Sequence, residues 1–183
     1  MKIETDRLIL RKWEIKDDKS MFKYASNKEV GPMAGWPAHD SIETSRKIIK
    51  ELINHPYCFA ICLKEDIDNP IGCVELKTTT DMSDKKDEYE LGYWIGMPYW
   101  GNGFAGEASN ALIKYGFEDI NLSAIWCGYY DGNIKSKRVQ EKLGFVYHHT
   151  TNDVYVSAMK ETRIGHANIL TKDHWNEIKN KRN

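Results

Sequence analysis

The sequence predicts a single α/β (α+β) domain that spans residues 1–183. A chain of this length buries roughly 70% of its unfolded surface, which is enough for one substantial core. Segments with strand-like alternation and segments with a helical apolar stripe follow one another along the chain, as in mixed α/β folds. No internal repeat, low-complexity tract or linker divides the sequence.

The first half of the chain predicts three strands and two helices. Asp17 or Asp18 is expected to cap the first helix, and Asp40 with Glu43 gives a variant of the capping box before the second. The segment 31–37 holds two glycines and two prolines, so we predict that it is irregular. The expected elements are a strand at 7–13, a helix through 21–25, a helix through 48–53, and a hairpin of strands 57–63 and 71–77.

The second half predicts a central strand followed by alternating helices and strands. Residues 80–88 are polar and are expected to form a loop before the central strand. Gly144 should end the second helix of this half, and Thr171 should cap a short C-terminal helix. The expected elements are a strand at 89–95, helix 107–117, strand 120–128, helix 133–143, and strands 145–155 and 164–170.

Composition and charge exclude several classes of partner. The formal net charge is −1, so no overall field draws the protein to nucleic acid or to an anionic membrane surface. No run of 18 apolar residues predicts a membrane span, and residues 1–7 lack an apolar signal core. The four cysteines show no Cys-x-x-Cys pair, which favours a reducing, cytoplasmic location.

No metal site is expected from the sequence. None of the cysteines stands beside a histidine at zinc-finger spacing. His148 and His149 are adjacent on a predicted strand, so their side chains should face opposite sides and not chelate an ion together.

The segment 100–106 reads Trp-Gly-Asn-Gly-Phe-Ala-Gly and lies between the central strand and a helix. The first N–H groups of a helix have no intrahelical partner, and the helix dipole adds positive charge at the same end. A glycine-rich turn that enters a helix in this way predicts a phosphate-binding site.

Gly101, Gly103 and Gly106 also satisfy the dinucleotide-binding fingerprint. Asp131, after the next predicted strand, matches the position of the ribose-binding acid in that fingerprint. The context argues against that assignment. Residues 97–100 separate the strand from the first glycine, and the strand alternates instead of being continuously apolar. Too little chain follows to form the second half of a doubly wound sheet. A mononucleotide P-loop is excluded because no Gly-Lys-Ser/Thr follows.

The combination of several short motifs resembles the GNAT superfamily of acyl-CoA-dependent N-acyltransferases, and in particular its Rim-type branch of ribosomal-protein N-terminal acetyltransferases. The resemblance extends over residues 5–147. It implies a central, mixed and mostly antiparallel twisted sheet with helices on both faces. It also implies a splay between the fourth and fifth strands that holds pantetheine. The motifs are Thr-Asp-Arg-Leu-Ile-Leu-Arg at 5–11, Ile-Gly at 71–72, Glu-Leu-Gly-Tyr-Trp-Ile at 90–95, the glycine turn, Asn-x-x-Ser-x-Arg-Val at 133–139 and Glu-Lys-Leu-Gly-Phe at 141–145.

The resemblance implies acetyl-CoA as the cosubstrate and main-chain groups as its pyrophosphate clamp. The first clamp position, often Gln or Arg in the superfamily, is Trp100 here, which a main-chain clamp tolerates. The implied cofactor-binding residues of the turn are Trp100, Gly101, Asn102, Gly103, Phe104, Ala105 and Gly106. A backbone N–H near Trp94 or Ile95 would polarise the thioester carbonyl, and such a donor is typically worth ~3–4 kcal/mol.

Two side chains are the candidate catalytic groups. Glu90, on the opposite face of the strand from Leu91, is the candidate acceptor of the amine proton, although it also fits an exposed strand carboxylate. The resemblance places Ser136 as proton donor to the CoA thiolate, because Gln140 replaces the tyrosine that many superfamily members use. A plain helix-terminus role for Ser136 stays open. Asn133 is expected to bind the pantetheine or adenylate portion of CoA, to cap the helix, or both.

The acceptor is predicted only by class. Neutralising an α-amine of pKa near 8 at pH 7 costs ~1 kcal/mol, whereas a lysine costs ~4–5 kcal/mol, so one candidate base favours an α-amine at a protein or peptide N-terminus. Trp36 is a candidate wall of the acceptor pocket. The alternatives are a small-molecule amine such as an antibiotic, polyamine or amino acid, and a CoA-binding regulator without catalysis. Either a monomer or a homodimer is compatible with the sequence.

Overall fold

A computed structural model describes residues 1–182 and contains one sheet of eight strands. The strand order is β1-β2-β3-β4-β5-β6-β8-β7, in which β5 and β6 are parallel and every other pair is antiparallel. The strands are β1 (Lys2–Glu4), β2 (Leu8–Arg11), β3 (Cys58–Leu63), β4 (Gly72–Lys77), β5 (Glu88–Ile95), β6 (Ala124–Tyr130), β7 (Val146–Val156) and β8 (Glu161–Thr171).

Helices cover both faces of this sheet, as the sequence predicts. On one face α4 packs with Leu143 and Trp175 over the inward side chains of the central strands, and on the other α1 and α3 enclose a core around Ile49 and Cys73. None of the helices formed by residues 1–182 combines the length and apolarity of a membrane span. The helices are α1 (Asp18–Ala25), α2 (Gly31–Ala34), α3 (Ile42–Leu52), α4 (Phe104–Glu118), α5 (Ile134–Leu143) and α6 (Lys172–Arg182).

The splay implied between the fourth and fifth predicted strands lies between β5 and β6, since the unpredicted β1 raises each strand number by one. Their parallel pairing ends where Glu90 meets Trp126. Beyond that point β5 continues to Ile95 and β6 to Tyr130 without pairing to each other. The two strands therefore diverge into a gap, and one edge of β5 faces this gap while the other stays paired with β4.

Several local predictions for the first half were wrong. The segment 31–37 contains the short helix α2, because Pro32 is tolerated in a first turn and Gly35 ends the helix in the left-handed conformation. The cap of α3 is Ser41, whose Oγ accepts the Thr44 N–H at 3.1 Å. Asp17 is the N-cap residue of α1, one of the two predicted positions, but its carboxylate binds no N–H of that helix and receives two hydrogen bonds of 2.8 Å from Arg11.

In the second half, α4 begins at Phe104, three residues before the predicted start. The predictions at Gly144 and Thr171 are confirmed, since Gly144 ends α5 and the Thr171 hydroxyl accepts the His174 N–H at 3.3 Å. The strand β1 was not predicted, because its three residues are too short to show a pattern.

The expectation that His148 and His149 face opposite sides was wrong. An irregularity in β7 between Tyr147 and His149 adds one residue on that strand, and this bulge turns both rings to one side. Their Nδ1 atoms lie 2.8 Å apart and both rings contact Trp126. Within residues 1–182 no group of three or more His, Cys, Asp or Glu side chains is arranged to hold a metal ion.

Candidate active site

A cavity of about 1760 Å³ opens at the gap between β5 and β6. The glycine turn lines one part of it, the segment leading to α3 and the polar end of β4 line another, and α2 and the first turn of α5 line it as well. The cavity therefore joins the predicted phosphate site to a second, separate region through the gap. This arrangement has room for a long ligand and for a second molecule that meets it at β5.

The glycine turn presents free N–H groups to this cavity. Gly101 and Gly103 have φ of +80° and +79°, a left-handed conformation that glycine adopts without strain. Gly103 is the N-cap residue of α4, and no side chain caps the helix there. A Cβ atom at Gly101 or Gly106 would meet nothing within 4 Å. The donors at the start of α4 thus face open space, as a main-chain anion site requires.

An ion-pair network from the N-terminal segment braces the turn. The Glu107 carboxylate accepts hydrogen bonds from Thr5 Oγ1 at 2.5 Å, Arg7 N at 2.9 Å and Arg7 Nε at 2.7 Å. Arg7 Nη1 also donates to the Asn102 carbonyl at 3.0 Å. Burial acts to raise the pKa of Glu107, but the bonds from Thr5 and Arg7 outweigh it and hold that pKa below its ordinary value.

Trp100 anchors the other end of the turn. Its indole N–H donates to the Ile95 carbonyl at 2.7 Å, which ties the turn to the end of β5. The Lys135 ammonium lies 3.7 Å from the centre of the Trp100 ring, and the Arg7 guanidinium lies 4.5 Å from that of Phe104. The two rings therefore hold Lys135 and Arg7 beside the glycine turn. The Trp100 indole N–H is used by the Ile95 carbonyl, so it does not donate into the cavity.

The register of β4 and β5 decides which backbone N–H groups face the gap. The Gly96 N–H donates to Ile71 O at 2.7 Å, so Gly72 and Ile95 form a pair without hydrogen bonds between them. By alternation, the N–H of Trp94 enters the ladder with β4 and that of Ile95 points into the gap. The Cys127 thiol confirms this direction, since it donates to Leu91 O at 3.3 Å. Of the two predicted positions, Ile95 faces the gap.

Ser136 lies in the first turn of α5, beside the gap. Asn133 caps that helix, because its Oδ1 accepts the Ser136 N–H at 3.2 Å, while its Nδ2 donates to Met33 O at 3.2 Å. The Ser136 hydroxyl lies 3.0 Å from the Tyr93 hydroxyl and 3.1 Å from Gln140 Nε2. Tyr93 is a site residue that the sequence analysis missed.

Glu90 lies on the opposite face of β5 from Tyr93. Lys77, its cross-strand partner on β4, donates to Glu90 Oε1 at 2.7 Å. Burial acts to lower the pKa of Lys77, but the Glu90 carboxylate outweighs it and raises that pKa overall. Glu90 and Ser136 are therefore not in contact, and they approach the gap from different sides.

A second carboxylate on the Glu90 side was also missed. Glu75 of β4 pairs in register with Gly92 and lines the same cavity, with His55 Nδ1 at 3.7 Å. The alternation of Glu75 and Lys77 on their strand was the available signal, but only the register with β5 places them beside Glu90.

Trp36 lies between α2 and α3 and lines the cavity. Its ring packs edge-on against Trp94 at 5.9 Å between centroids and lies 5.3 Å from His39. The side chain therefore packs against other residues and also lines the cavity. Because Trp94 and Glu90 lie on the same face of β5, Trp36 lies on the Glu90 side of the gap.

Comparisons with known proteins all match this chain to acetyltransferases. Residues 7–146 match the family model described as an acetyltransferase (GNAT) domain. The uncharacterized N-acetyltransferase YoaA of Bacillus subtilis is 32% identical over 152 residues, which cover 78% of this chain and 81% of YoaA. The putative ribosomal N-acetyltransferase YdaF of the same organism is 33% identical over 87 residues, which cover 47% of this chain and 46% of YdaF.

Among solved structures, an acetyltransferase of the GNAT family from Bacillus anthracis superposes with a TM-score of 0.82. The alignment covers 94% of this chain and 99% of that one at 24% sequence identity. At that identity the likeness concerns the fold, and it includes the sheet that carries the gap.

Proposed function

This chain belongs to the GNAT family of acetyltransferases, and we propose that it transfers the acetyl group of acetyl-CoA to a primary amine, with the α-amine of a protein or peptide N-terminus favoured. GNAT acetyltransferases use acetyl-CoA as their cosubstrate. The observation that carries the proposal is the uncapped start of α4 at one end of a gap that has a hydroxyl on one side and a carboxylate on the other.

The residues divide the reaction between them. The N–H groups of 101–106 hold the pyrophosphate, and the Ile95 N–H donates to the thioester oxygen, for which one donor is typically worth ~3–4 kcal/mol. Holding the thioester and amine together supplies a further ~7–11 kcal/mol. The amine nitrogen bonds to the acetyl carbon and the carbon–sulfur bond breaks, so no covalent enzyme intermediate forms.

Two proton movements balance this step. Glu90 accepts the proton that the amine loses, directly or through water, and its Oε2 serves because Lys77 binds Oε1. Ser136 donates its proton to the departing sulfur, which ends as the thiol of CoA; water then returns a proton to the serine oxygen, and Glu90 releases the amine's proton to water. The two groups lie on opposite sides of β5, so the amine enters from one side and the sulfur leaves on the other.

The favoured acceptor follows from the free-energy cost of removing a proton from the amine, which Glu90 accepts. Bringing an α-amine to its neutral form at pH 7 costs ~1 kcal/mol, against ~4–5 kcal/mol for a lysine. The Glu90 carboxylate already pairs with the Lys77 ammonium, which makes it a weaker base. A weaker base favours the α-amine, because its neutral form costs less free energy than that of a lysine. The name of the relative YdaF, a putative ribosomal N-acetyltransferase, points the same way.

A small-molecule amine is the second candidate acceptor. The acceptor region is lined by the two carboxylates Glu75 and Glu90, with one lysine between them. A net negative lining attracts cations, including polyamines and amino sugars. The open cavity of about 1760 Å³ also has room for such a molecule beside the cosubstrate.

The first test measures binding and then turnover. Acetyl-CoA should raise the melting temperature, and release of free CoA thiol should be fastest with a peptide that has a free α-amine and no lysine. The matched control is the same peptide acetylated at its N-terminus with one lysine added. A lack of stabilisation by acetyl-CoA would refute the proposal. Binding without thiol release for any amine would favour a regulator, and faster release with polyamines would favour the second candidate.

Replacing the two candidate catalytic groups should lower kcat and leave the KM for acetyl-CoA nearly unchanged. We expect Ser136→Ala to lose about 10- to 100-fold and Glu90→Gln about 100-fold at pH 7. The Glu90→Gln loss should shrink above pH 8, where an α-amine is neutral without help. The controls are Ser123→Ala, at a half-buried residue, and Glu65→Gln, at an exposed one, neither of which lines the cavity. Full turnover in both active-site variants would contradict the assigned roles.

A further inference from the structure

We propose that Tyr93 and Gln140 hold the Ser136 hydroxyl in place at the gap, which makes Tyr93 a positioning residue for the group that protonates the leaving sulfur. This inference rests on the proposed function. It concerns a group of polar side chains behind the gap, formed by Tyr93 of β5, Ser136 and Gln140 of α5, and Asn168 of β8.

The orientation of Gln140 is fixed by its other partners. Its Nε2 lies 3.2 Å from the Gly128 carbonyl, which can only accept, and its Oε1 accepts from Asn168 Nδ2 at 2.7 Å. The side chain is fully buried, so both ends need these partners. Gln140 Nε2 is therefore the donor in the 3.1 Å bond to Ser136 Oγ, and it occupies one lone pair of that oxygen.

Tyr93 supplies the second bond to the same oxygen. Its hydroxyl lies 3.0 Å from Ser136 Oγ and 3.2 Å from the Ser136 carbonyl, so both neighbours belong to one residue. Burial of the phenol raises the pKa of Tyr93 well above its ordinary value, and the nearby Cys127 adds to this effect. The phenol donates to the Ser136 carbonyl, which can only accept, while in the contact with Ser136 Oγ either oxygen can be the donor.

A serine hydroxyl has two lone pairs and one proton. Gln140 takes one lone pair, and the contact with Tyr93 engages a second position on the same oxygen, so two partners fix where Ser136 Oγ lies. A serine near a helix start often turns its hydroxyl to backbone groups instead. Here the two contacts oppose that rotation and keep Ser136 Oγ at the cavity that Ser136 lines.

The test is a double-mutant cycle on turnover. Tyr93→Phe keeps the ring and removes the hydroxyl, and we expect kcat to fall about 10-fold, the value of one lost hydrogen bond, with the KM for acetyl-CoA changed less than about threefold. In a Ser136→Ala background the same change should have almost no further effect, because Tyr93 acts through Ser136. Tyr89→Phe, on the same face of β5 but beside Tyr57, is the control and should match the parent.

Each result decides the matter. A 10-fold loss that is also seen in the Ser136→Ala background would overturn the inference, because a general packing defect acts independently of the serine. Equal kcat for Tyr93→Phe and the parent would overturn it as well, while leaving the proposed acetyl transfer intact. A parent protein that binds no acetyl-CoA and releases no thiol would refute the proposed function itself, and the inference with it.

Discussion

Gly106→Asp is expected to stabilise the free protein and at the same time to abolish acetyl-CoA binding. Gly106 is the third residue of α4, and a Cβ there meets nothing within 4 Å, so the side chain fits. Asp is a better helix residue than Gly and its charge suits the helix N-terminus, together about 1 kcal/mol. The same carboxylate repels the pyrophosphate and takes its donors, and we expect affinity to fall at least about 100-fold.

Thermal melts with and without acetyl-CoA, and titration calorimetry, measure both effects. For a chain of this length, 1 kcal/mol corresponds to a rise of about 2–4 °C in Tm. Gly106→Ala is the matched control, because it gains helix propensity without the charge and should lose less than about tenfold in affinity. Tight binding by Gly106→Asp would show that the start of α4 does not hold the cosubstrate.

The geometry of the glycine turn was predictable from sequence because its cause is local. Glycines at 101, 103 and 106 between a strand pattern and a helix pattern define a turn whose N–H groups have nowhere else to bond. The order of strands and helices was predictable for the same reason, since alternation and helical spacing are properties of short segments. The confirmed helix end at Gly144 belongs to this class.

The partners of the candidate catalytic groups were not predictable, because they depend on register and on contacts between distant segments. Tyr93 meets Ser136 across 43 positions of sequence. Glu75 stands beside Glu90 only through the register of β4 with β5. The bulge at His148 reverses a side chain that regular alternation would place on the other face.

The acceptor wall shows the same limit most clearly. Arg163 of β8 donates to Pro32 O at 2.6 Å, and Asn133 donates to Met33 O, so two remote elements hold α2 in place. Both acceptors are backbone carbonyls, which carry no side-chain signal. Sequence therefore predicts the glycine-turn part of the cavity, while the part around α2 depends on contacts that only the folded chain reveals.

Glu107→Ala is expected to destabilise the protein, because it removes the acceptor that braces the glycine turn. It leaves the Thr5 hydroxyl, the Arg7 N–H and the Arg7 guanidinium without their shared acceptor. Charged hydrogen bonds contribute about 1.5–3 kcal/mol, and half-exposure of Arg7 reduces its share, so we expect a loss of about 2 kcal/mol in the free energy of unfolding. Urea unfolding at pH 7 measures this loss.

Glu118→Ala is the matched control on the same helix. Glu118 pairs with Lys179 and Lys114 at the surface, where water screens both pairs, so its removal should cost much less than that of Glu107. Equal losses for the two variants would contradict a special role for the Glu107 network.

The Glu107 effect should also depend on pH in a defined direction. The folded pKa of Glu107 lies below its ordinary value of 4.5, so its contribution is complete above pH 4.5 and is lost as the pH falls through the folded value. The stability difference between the parent protein and Glu107→Ala should therefore be constant from pH 8 to about pH 5.5 and shrink in more acid solution. A difference that instead grew on acidification would mean that Glu107 is protonated in the folded state, and the brace would then rest on Arg7 and Asn102 alone.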